Sequence, residues 1–432
     1  MAVRTSEGYF VFHPHVQLVR GSSGAAVHEL FKRKVYWLRQ PAIVHALSQL
    51  ALGDSICNAA IAAAIDAQDL ATHLAVLSDL GLGAFMPTRS ATELYRPLLL
   101  HSQAEEFLAP RDGGSLTIEI SGECIYFCPW CTSKTTLTPF ACACGVWSDQ
   151  GPPLPLNRLL AAVEQLRYAG VDYLIVRGGE PLLVADRLCD LILAACRLGM
   201  QCEVHSTGVL LSEDIVNRLR GLPVHFILLI PTKEKVLFDQ AVDRPGSWVK
   251  LLQAISALTS AGISFSTKIP AHLADLESAN ATAMWANDLG ATNNSLLYYL
   301  AATGGSSEEL VRAFRLGSPQ AMAVGLEDFV INGQSQFCFD NSYFITGDGR
   351  LMPCIARRTP LASLAETDMA TILREDQLEP VRHTARHETP ACRACEFRLG
   401  CRACLVRTEQ LTGSVGSRHW NCAYEPETGT WQ

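Results

Sequence analysis

Several things are scarce in this sequence. No apolar run is long enough to cross a bilayer; the richest, around Ala59 to Ile65, is short and flanked by Asp54 and Asp66. The first residues, Met-Ala-Val-Arg-Thr-Ser-Glu-Gly, lack the apolar core of a secretory signal. Positive charge is not in excess: the formal net charge is −8, which excludes a general attraction to nucleic acid or to an anionic membrane surface. Charged residues make up only 18% against 48% hydrophobic, so 432 residues can bury a sizeable core in two or three domains. The expectation is a soluble cytoplasmic protein that binds neither nucleic acid nor membrane.

Cysteine, by contrast, is abundant and unevenly placed. Of 16 cysteines, three fall at Cys124, Cys128 and Cys131, and seven between Cys338 and Cys422. A large unsecreted chain is a poor candidate for a disulfide scaffold, and grouped thiols in a reducing compartment are more often metal ligands. Cys57, Cys189, Cys196 and Cys202 lie on apolar segments and read as small core hydrophobes. Cys142 and Cys144 sit in a Thr/Pro-rich loop and read as surface thiols.

Periodicity divides the chain into three. In residues 1–105, Tyr9–His13, Val16–Val19 and Lys34–Leu38 read as strands, and Pro41–Leu52, Ser55–Asp66 and Leu70–Leu80 as helices, a winged-helix-like α+β pattern. Residues 106–305 alternate strand and helix six times. The strands are Ser115–Ile120, Asp172–Arg177, Glu203–Ser206, Val224–Ile230, Ser264–Ile269 and Ser295–Leu300. That is α/β: a parallel sheet curving into a partial (β/α)6 barrel, with reactive residues at the C-terminal strand ends. From 306 to 432, after the break at Gly304-Gly-Ser-Ser307, periodicity fades and cysteines take over, as in a small domain held by metal.

The run Cys124-Ile-Tyr-Phe-Cys128-Pro-Trp-Cys131 follows the first barrel strand. Three thiolates can hold three irons of a [4Fe–4S] cluster and leave the fourth open; structural zinc favours four ligands in paired knuckles. The second strand ends in Arg177-Gly178-Gly179-Glu180-Pro181. Two glycines let a ligand approach the backbone, and the carboxylate can hold an ammonium group. A plain strand-to-helix turn would also use a Gly-Gly pair, but both motifs meet at the same barrel mouth.

This combination resembles the radical S-adenosylmethionine (SAM) superfamily. The resemblance implies that Cys124, Cys128 and Cys131 bind a cluster whose open iron holds SAM. Gly178, Gly179 and Glu180 would contact the methionine amine, Trp130 would pack near the adenine, and Ser206 and Thr207 would lie against the ribose. Thr207 stands where relatives often carry Asn, and Ile230-Pro-Thr-Lys233 replaces a Ser-Leu-Asp-Gly-like stretch. Lys268, on the fifth strand, could reach the SAM carboxylate or be solvated. The activity implied is reductive SAM cleavage to a 5′-deoxyadenosyl radical that removes hydrogen from an unactivated carbon.

The later cysteines read Cys338-x10-Gly349-x4-Cys354, then Cys392-x2-Cys395-x5-Cys401-x2-Cys404, then Cys422. Cys-x2-Cys-x5-Cys-x2-Cys alone would suit a zinc ribbon; the three further cysteines favour iron. The array resembles the SPASM domain, an auxiliary-cluster module. That implies one [4Fe–4S] cluster on Cys392, Cys395, Cys401 and Cys422. A second would use Cys338, Cys354 and Cys404, with an open iron or a further ligand such as Asp340. The phrase Cys392-Arg-Ala-Cys395-Glu-Phe-Arg-Leu-Gly-Cys401-Arg-Ala-Cys404 is similar to maturases of the grasp-with-SPASM and geopeptide-type groups.

Residues 1–105 carry eight Lys/Arg and eight Asp/Glu, a weak footprint for DNA. Their layout resembles a PqqD-like recognition element, in which a leader peptide adds a strand to a sheet edge; a domain that only covers the barrel is the plainer alternative. The expected function is modification of a ribosomally made precursor peptide, forming a thioether or carbon–carbon crosslink, with a flavodoxin or ferredoxin as electron donor. Residue oxidation or epimerisation by the same chemistry is the second enzyme reading. A non-catalytic iron–sulfur regulator with a DNA-binding winged helix is the reading from another class.

Overall fold

The computed structural model describes residues 6–88, 113–128, 151–272, 275–299, 312, 314–334, 342–355, 357, 359–375, 389–402, 404–414 and 416–432. Trp130, Cys131, Cys142, Cys144, Cys338 and Asp340 lie outside them. The chain forms two compact units that interleave along the sequence: Met1–Pro110 with Phe314–Asp340 and Arg382–Gln432, and Arg111–Ala313 with Asn341–Val381.

In the first unit, β1 (Tyr9–Phe12) pairs antiparallel with a later strand, and β2 (Val16–Arg20), β3 (Ala25–Glu29) and β4 (Lys34–Leu38) form an antiparallel sheet in that order. β3 was not anticipated. Its sequence, Ala-Ala-Val-His-Glu, is poor in β-formers and does not alternate, because all five residues are buried. Three helices follow. Pro41–Ala51 begins on Pro41, whose fixed φ suits a first helical residue. Ile56–Ala63 starts where the Ser55 side chain accepts from Asn58 N, and Ala67–Asp79 where Asp66 accepts from Gln68 N and Asp69 N. Their inner faces, with Ile43, Leu47, Leu50, Ile56, Leu70 and Leu74, close a core with Phe10, Phe12 and Val27. The partner of β1 is β5 (Gly83–Met86), a second strand the sequence reading passed over. Later segments add the helices Leu326–Gln334 and Leu405–Thr412, a cysteine-bearing run of turns over 389–402, and a hairpin of Tyr424–Glu425 with Thr430–Trp431.

The second unit is a parallel sheet with helices against it. Its strands β6 (Gly114–Ser121), β7 (Val171–Gly178), β8 (Gln201–Ser206), β9 (Val224–Leu229), β10 (Ser264–His272) and β11 (Asn294–Tyr299) lie in sequence order, each parallel to the next. This is the expected α/β architecture of six repeats. β12 (Ser342–Thr346) extends it, pairing parallel with β6, and β13 (Arg350–Met352) and β14 (Ala362–Ser363) continue antiparallel. The described strands therefore make an open sheet rather than a closed barrel. Leu116, Ile118, Leu174, Val176, Val204 and Phe226 are fully buried on it, against Val163, Leu166, Leu188, Ile192 and Leu251 of the helices. Among the described residues no single helix is long and apolar enough to cross a membrane.

Candidate functional site

β6 leads into the segment that carries Cys124 and Cys128, and the glycines closing β7 hold that segment in place. Gly179 N donates to Ser121 O at 2.9 Å, and Glu180 N to Glu123 O at 2.7 Å. A Cβ on Gly178 would lie 2.1 Å from Ser121 O, and one on Gly179 2.0 Å from Glu123 O. At both glycines the backbone of the cysteine segment approaches so closely that a side chain would not fit. From the other side, Phe127 N donates to Val242 O at 3.2 Å and Arg244 Nη1 to Ile125 O at 3.3 Å. Both holders follow the helix Lys235–Ala241, which periodicity did not reveal.

Glu180 is fully buried. Its Oε1 accepts from Ser206 Oγ at 2.7 Å and Leu182 N at 3.0 Å. Its Oε2 accepts from Thr207 N at 2.8 Å and from the Thr207 hydroxyl. Burial pushes its carboxyl up, and these donors pull the other way. With four donors on its two oxygens, it is a strut tying the end of β7 to the end of β8.

Cys124, Cys128, Gly179, Ser206, Thr207 and Lys268 line one cleft at the C-terminal strand ends. Glu180 lies behind its wall, and Trp130 and Cys131 fall outside the described residues. The Tyr126 hydroxyl is buried beside Ser247 and Thr207. Tyr126 N donates to Cys124 Sγ at 3.5 Å, the kind of contact that tunes a cluster thiolate. Two thiols and a buried hydroxyl in one cleft fit a cluster with a polar ligand beside it.

Sequence reasoning missed a side-chain chain along this cleft. Lys268 Nζ donates to His205 Nδ1 at 2.9 Å, His205 Nε2 meets Glu203 Oε1, and Tyr173 OH donates to Glu203 Oε2 at 3.0 Å. Burial holds the His205 pKa at about 4; the Glu203 hydrogen bond opposes this and the Lys268 charge adds to it. The i, i+2 spacing of Glu203 and His205 on β8 was the available signal, since alternate strand residues share a face.

In the other unit, Cys392, Cys395, Cys401 and Cys422 line a single cavity with Phe397 and Tyr424. Among the described residues no three His, Cys, Asp or Glu side chains converge closely enough for one metal ion. A zinc ribbon needs four thiolates about 2.3 Å from one point, whereas a multi-iron cluster needs them framing a volume. Burial pushes the Cys395 thiol far up, so a positively charged partner would be what keeps it ionised. Cys404 is partly exposed ahead of Leu405–Thr412 and does not line this cavity, and Cys354 is buried in the barrel unit.

The cavity wall is fastened to the N-terminal sheet through Glu396. Its Oε1 accepts from Tyr424 OH at 2.6 Å and from Trp37 Nε1, on β4, at 3.0 Å. The turn Gly21-Ser-Ser-Gly24 wraps it so closely that a Cβ on Gly21 would lie 2.2 Å from Glu396 Oε2. Ser22 N donates to Ala394 O at 2.8 Å, and Arg398 Nη1 to Arg20 O at 2.7 Å. Nothing in the sequence pattern pointed to Glu396, because two of its partners, Trp37 and Ser23, are more than 350 residues away.

Residues 118–278 match the radical SAM superfamily, and residues 337–396 match SPASM, an iron–sulfur cluster-binding domain. The chain is 25% identical over 341 residues to a PqqA peptide cyclase of Streptomyces rochei, covering 72% of this chain and 89% of that one. The structure of Streptococcus suis SuiB bound to S-adenosylmethionine matches with a TM-score of 0.54 at 14% identity, over 94% of this chain and 97% of SuiB. SuiB bound to its precursor peptide SuiA matches with 0.54 at 13%, over 94% and 97%. At such identity the two SuiB structures speak for the fold. With thiols gathered at the strand ends and again around a second cavity, this chain is a radical SAM/SPASM enzyme, working with S-adenosylmethionine and iron–sulfur clusters.

Proposed function

We propose that this enzyme matures a ribosomally made precursor peptide by joining two of its residues through a thioether or carbon–carbon bond. The observation that carries the reading is the presence, in one chain, of a cysteine cleft at the strand ends and a separate four-cysteine cavity. Likeness to a peptide cyclase supports a peptide as substrate. When bound, the cofactors supply a carbon-centred radical that takes hydrogen from an unactivated carbon, and a second redox centre that accepts an electron.

In this reading Cys124, Cys128 and Cys131 hold the first cluster. Trp130, Gly178, Gly179, Glu180, Ser206 and Thr207 form the SAM site, with Glu180 also keeping Ser206 and Thr207 in place. Ile227 and Leu229 give the cleft apolar walls that exclude water. Cys392, Cys395, Cys401 and Cys422 hold one auxiliary cluster, and Cys338, Cys354 and Cys404 the other. Residues 1–105 recognise the leader, 106–305 form the catalytic barrel and 306–432 the auxiliary-cluster region. β2 and β4 end the three-stranded sheet, so each offers an edge to which a leader strand can add. A flavodoxin or ferredoxin supplies electrons, and a reducing cytoplasm is the setting that thiolate-held clusters require.

The test is anaerobic reconstitution with iron and sulfide, followed by iron content, 5′-deoxyadenosine release and product mass with a precursor peptide. The expected result is iron above one cluster per chain, SAM cleavage, and a product lighter by two hydrogens. Cys124→Ala should stop SAM cleavage, whereas Cys392→Ala should retain cleavage and lose the crosslink. Zinc in place of iron, with no SAM cleavage, would sink the proposal.

A further inference from the structure

Two cysteines that none of the proposed clusters uses lie against each other on the barrel. Cys196 is the penultimate residue of the helix Ala185–Arg197, and Cys202 the second residue of β8; their sulfurs are 3.7 Å apart. The turn between them is fastened by its own backbone. Gly199 N donates to Cys196 O at 3.0 Å and Met200 N to Ala195 O at 3.1 Å, with Gly199 at φ +78°. The strand is fastened too, Cys202 N donating to Pro223 O at 2.9 Å. The thiols therefore meet because of the fold around them. Cys202 is 1% exposed, whereas Cys196 is partly open to solvent.

We propose that Cys196 and Cys202 form a redox modification site, a dithiol that a small-molecule disulfide converts to a reversible intrachain disulfide. The Cys196 thiolate attacks one sulfur of oxidised glutathione; that S–S bond breaks and one glutathione thiolate leaves. Cys202 then loses its proton and attacks the Cys196 sulfur, expelling the second glutathione. The two protein thiols give up two electrons and two protons, and two glutathione thiols result. The sulfurs must close from 3.7 Å to about 2.05 Å.

The division of labour follows from the surroundings. Cys196 is partly open to solvent, so a disulfide reagent can reach it, whereas Cys202 is buried, and its contact with Cys196 and its burial push its thiol up. Once Cys196 is capped by glutathione, the negative sulfur that raised Cys202 is gone, so the second step is eased. Cys196 is the entry point and Cys202 resolves. Cys189, buried on the same helix, is the internal control.

The iron-loaded enzyme is equilibrated without oxygen in glutathione buffers of graded ratio, acid-quenched, alkylated, digested and mapped by mass. The expected product is a Cys196 peptide joined to a Cys202 peptide, two hydrogens lighter than the free pair and released by reductant, with Cys189 alkylated throughout. Cys202→Ser should stop at a glutathione adduct on Cys196, and Cys196→Ser should leave Cys202 unmodified. The inference is overturned if both thiols stay free at every ratio. It is equally overturned if the unaltered protein accumulates glutathione on Cys196 without bonding to Cys202.

Discussion

The two cysteine sites are held by different means. At the barrel cleft, Cys124 and Cys128 ride on a segment stitched by main-chain hydrogen bonds to the ends of β7 and to Val242, and the sheet beneath has its own core. The cavity of Cys392, Cys395, Cys401 and Cys422 is built on turns, and its wall hangs on side chains, chiefly the Glu396 carboxylate and the Arg398 guanidinium. The first is a site that a sheet builds before any cofactor arrives. The second is a site whose order depends on a few buried polar contacts, and bound metal would add most of its stability there.

The largest expected effect comes from Gly179→Ala. Its Cβ would stand 2.0 Å from Glu123 O and 3.0 Å from Cys124 N, so the cysteine segment must move. Displacing reacting groups by an ångström costs about 100-fold in rate, and at least that loss of 5′-deoxyadenosine formation is expected. Peptide-resolved hydrogen exchange over 389–402 should not change. Normal SAM cleavage by the variant would show that the glycine contact does not locate the cysteines.

Glu396→Ala should act in the other region. It leaves the Trp37 indole N–H and the Tyr424 hydroxyl without their buried carboxylate acceptor, at about 1–3 kcal/mol for each. Faster exchange is expected in β4 and across 389–402, with β6 to β8 unaffected. Unchanged protection in 389–402 would mean that side chains do not hold the cavity and would collapse the distinction between the sites.

Much of the barrel was legible because its signals are local. Each of the six strands and most of the helices after them carry their own periodicity, and the observed bounds of the first, Gly114–Ser121, differ from the expected Ser115–Ile120 by one residue at each end. What stayed hidden was non-local or atypical. β3 has no alternation because both its faces are covered, and β12 joins β6 from more than 200 residues away. The Gly178–Glu180 motif was visible as residues, but its use was not. Sequence shows that two glycines permit close approach, and the fold adds that the backbone at Ser121 and Glu123 comes close to them. Glu396 could not be found at all, since an isolated glutamate between two cysteine knuckles reads as a surface charge until Trp37 and Tyr424 are folded onto it.

The smallest predicted effect uses one buried histidine in each region. His28, packed against Phe329, and His205, beside Glu203 and Lys268, are both held at a pKa of about 4, in each case first by burial. A free histidine titrates near 6.5, so between about pH 6.5 and 4 the unfolded chain takes up protons that the folded chain refuses. Stability therefore falls as pH drops through that window and stops falling, for these groups, below about 4. A shift of this size corresponds to about 3 kcal/mol for each histidine. Glu203 adds to the loss in the barrel. Burial alone would push its carboxyl up, but the His205 and Tyr173 hydrogen bonds and the Lys268 charge hold it below its usual range, so its contribution disappears as pH falls through that lowered value. His28→Leu keeps an apolar side chain against Phe329 and removes the titrating group from one region alone. Exchange measured at pH 7 and pH 5, corrected for intrinsic rates, should then lose its pH dependence in β3 and in Leu326–Gln334 while the barrel strands keep theirs. If the barrel's pH dependence flattened as well, the two regions would share one opening reaction, and the contrast between a site built by a sheet and a site hung on side chains would describe their geometry but not their energetics.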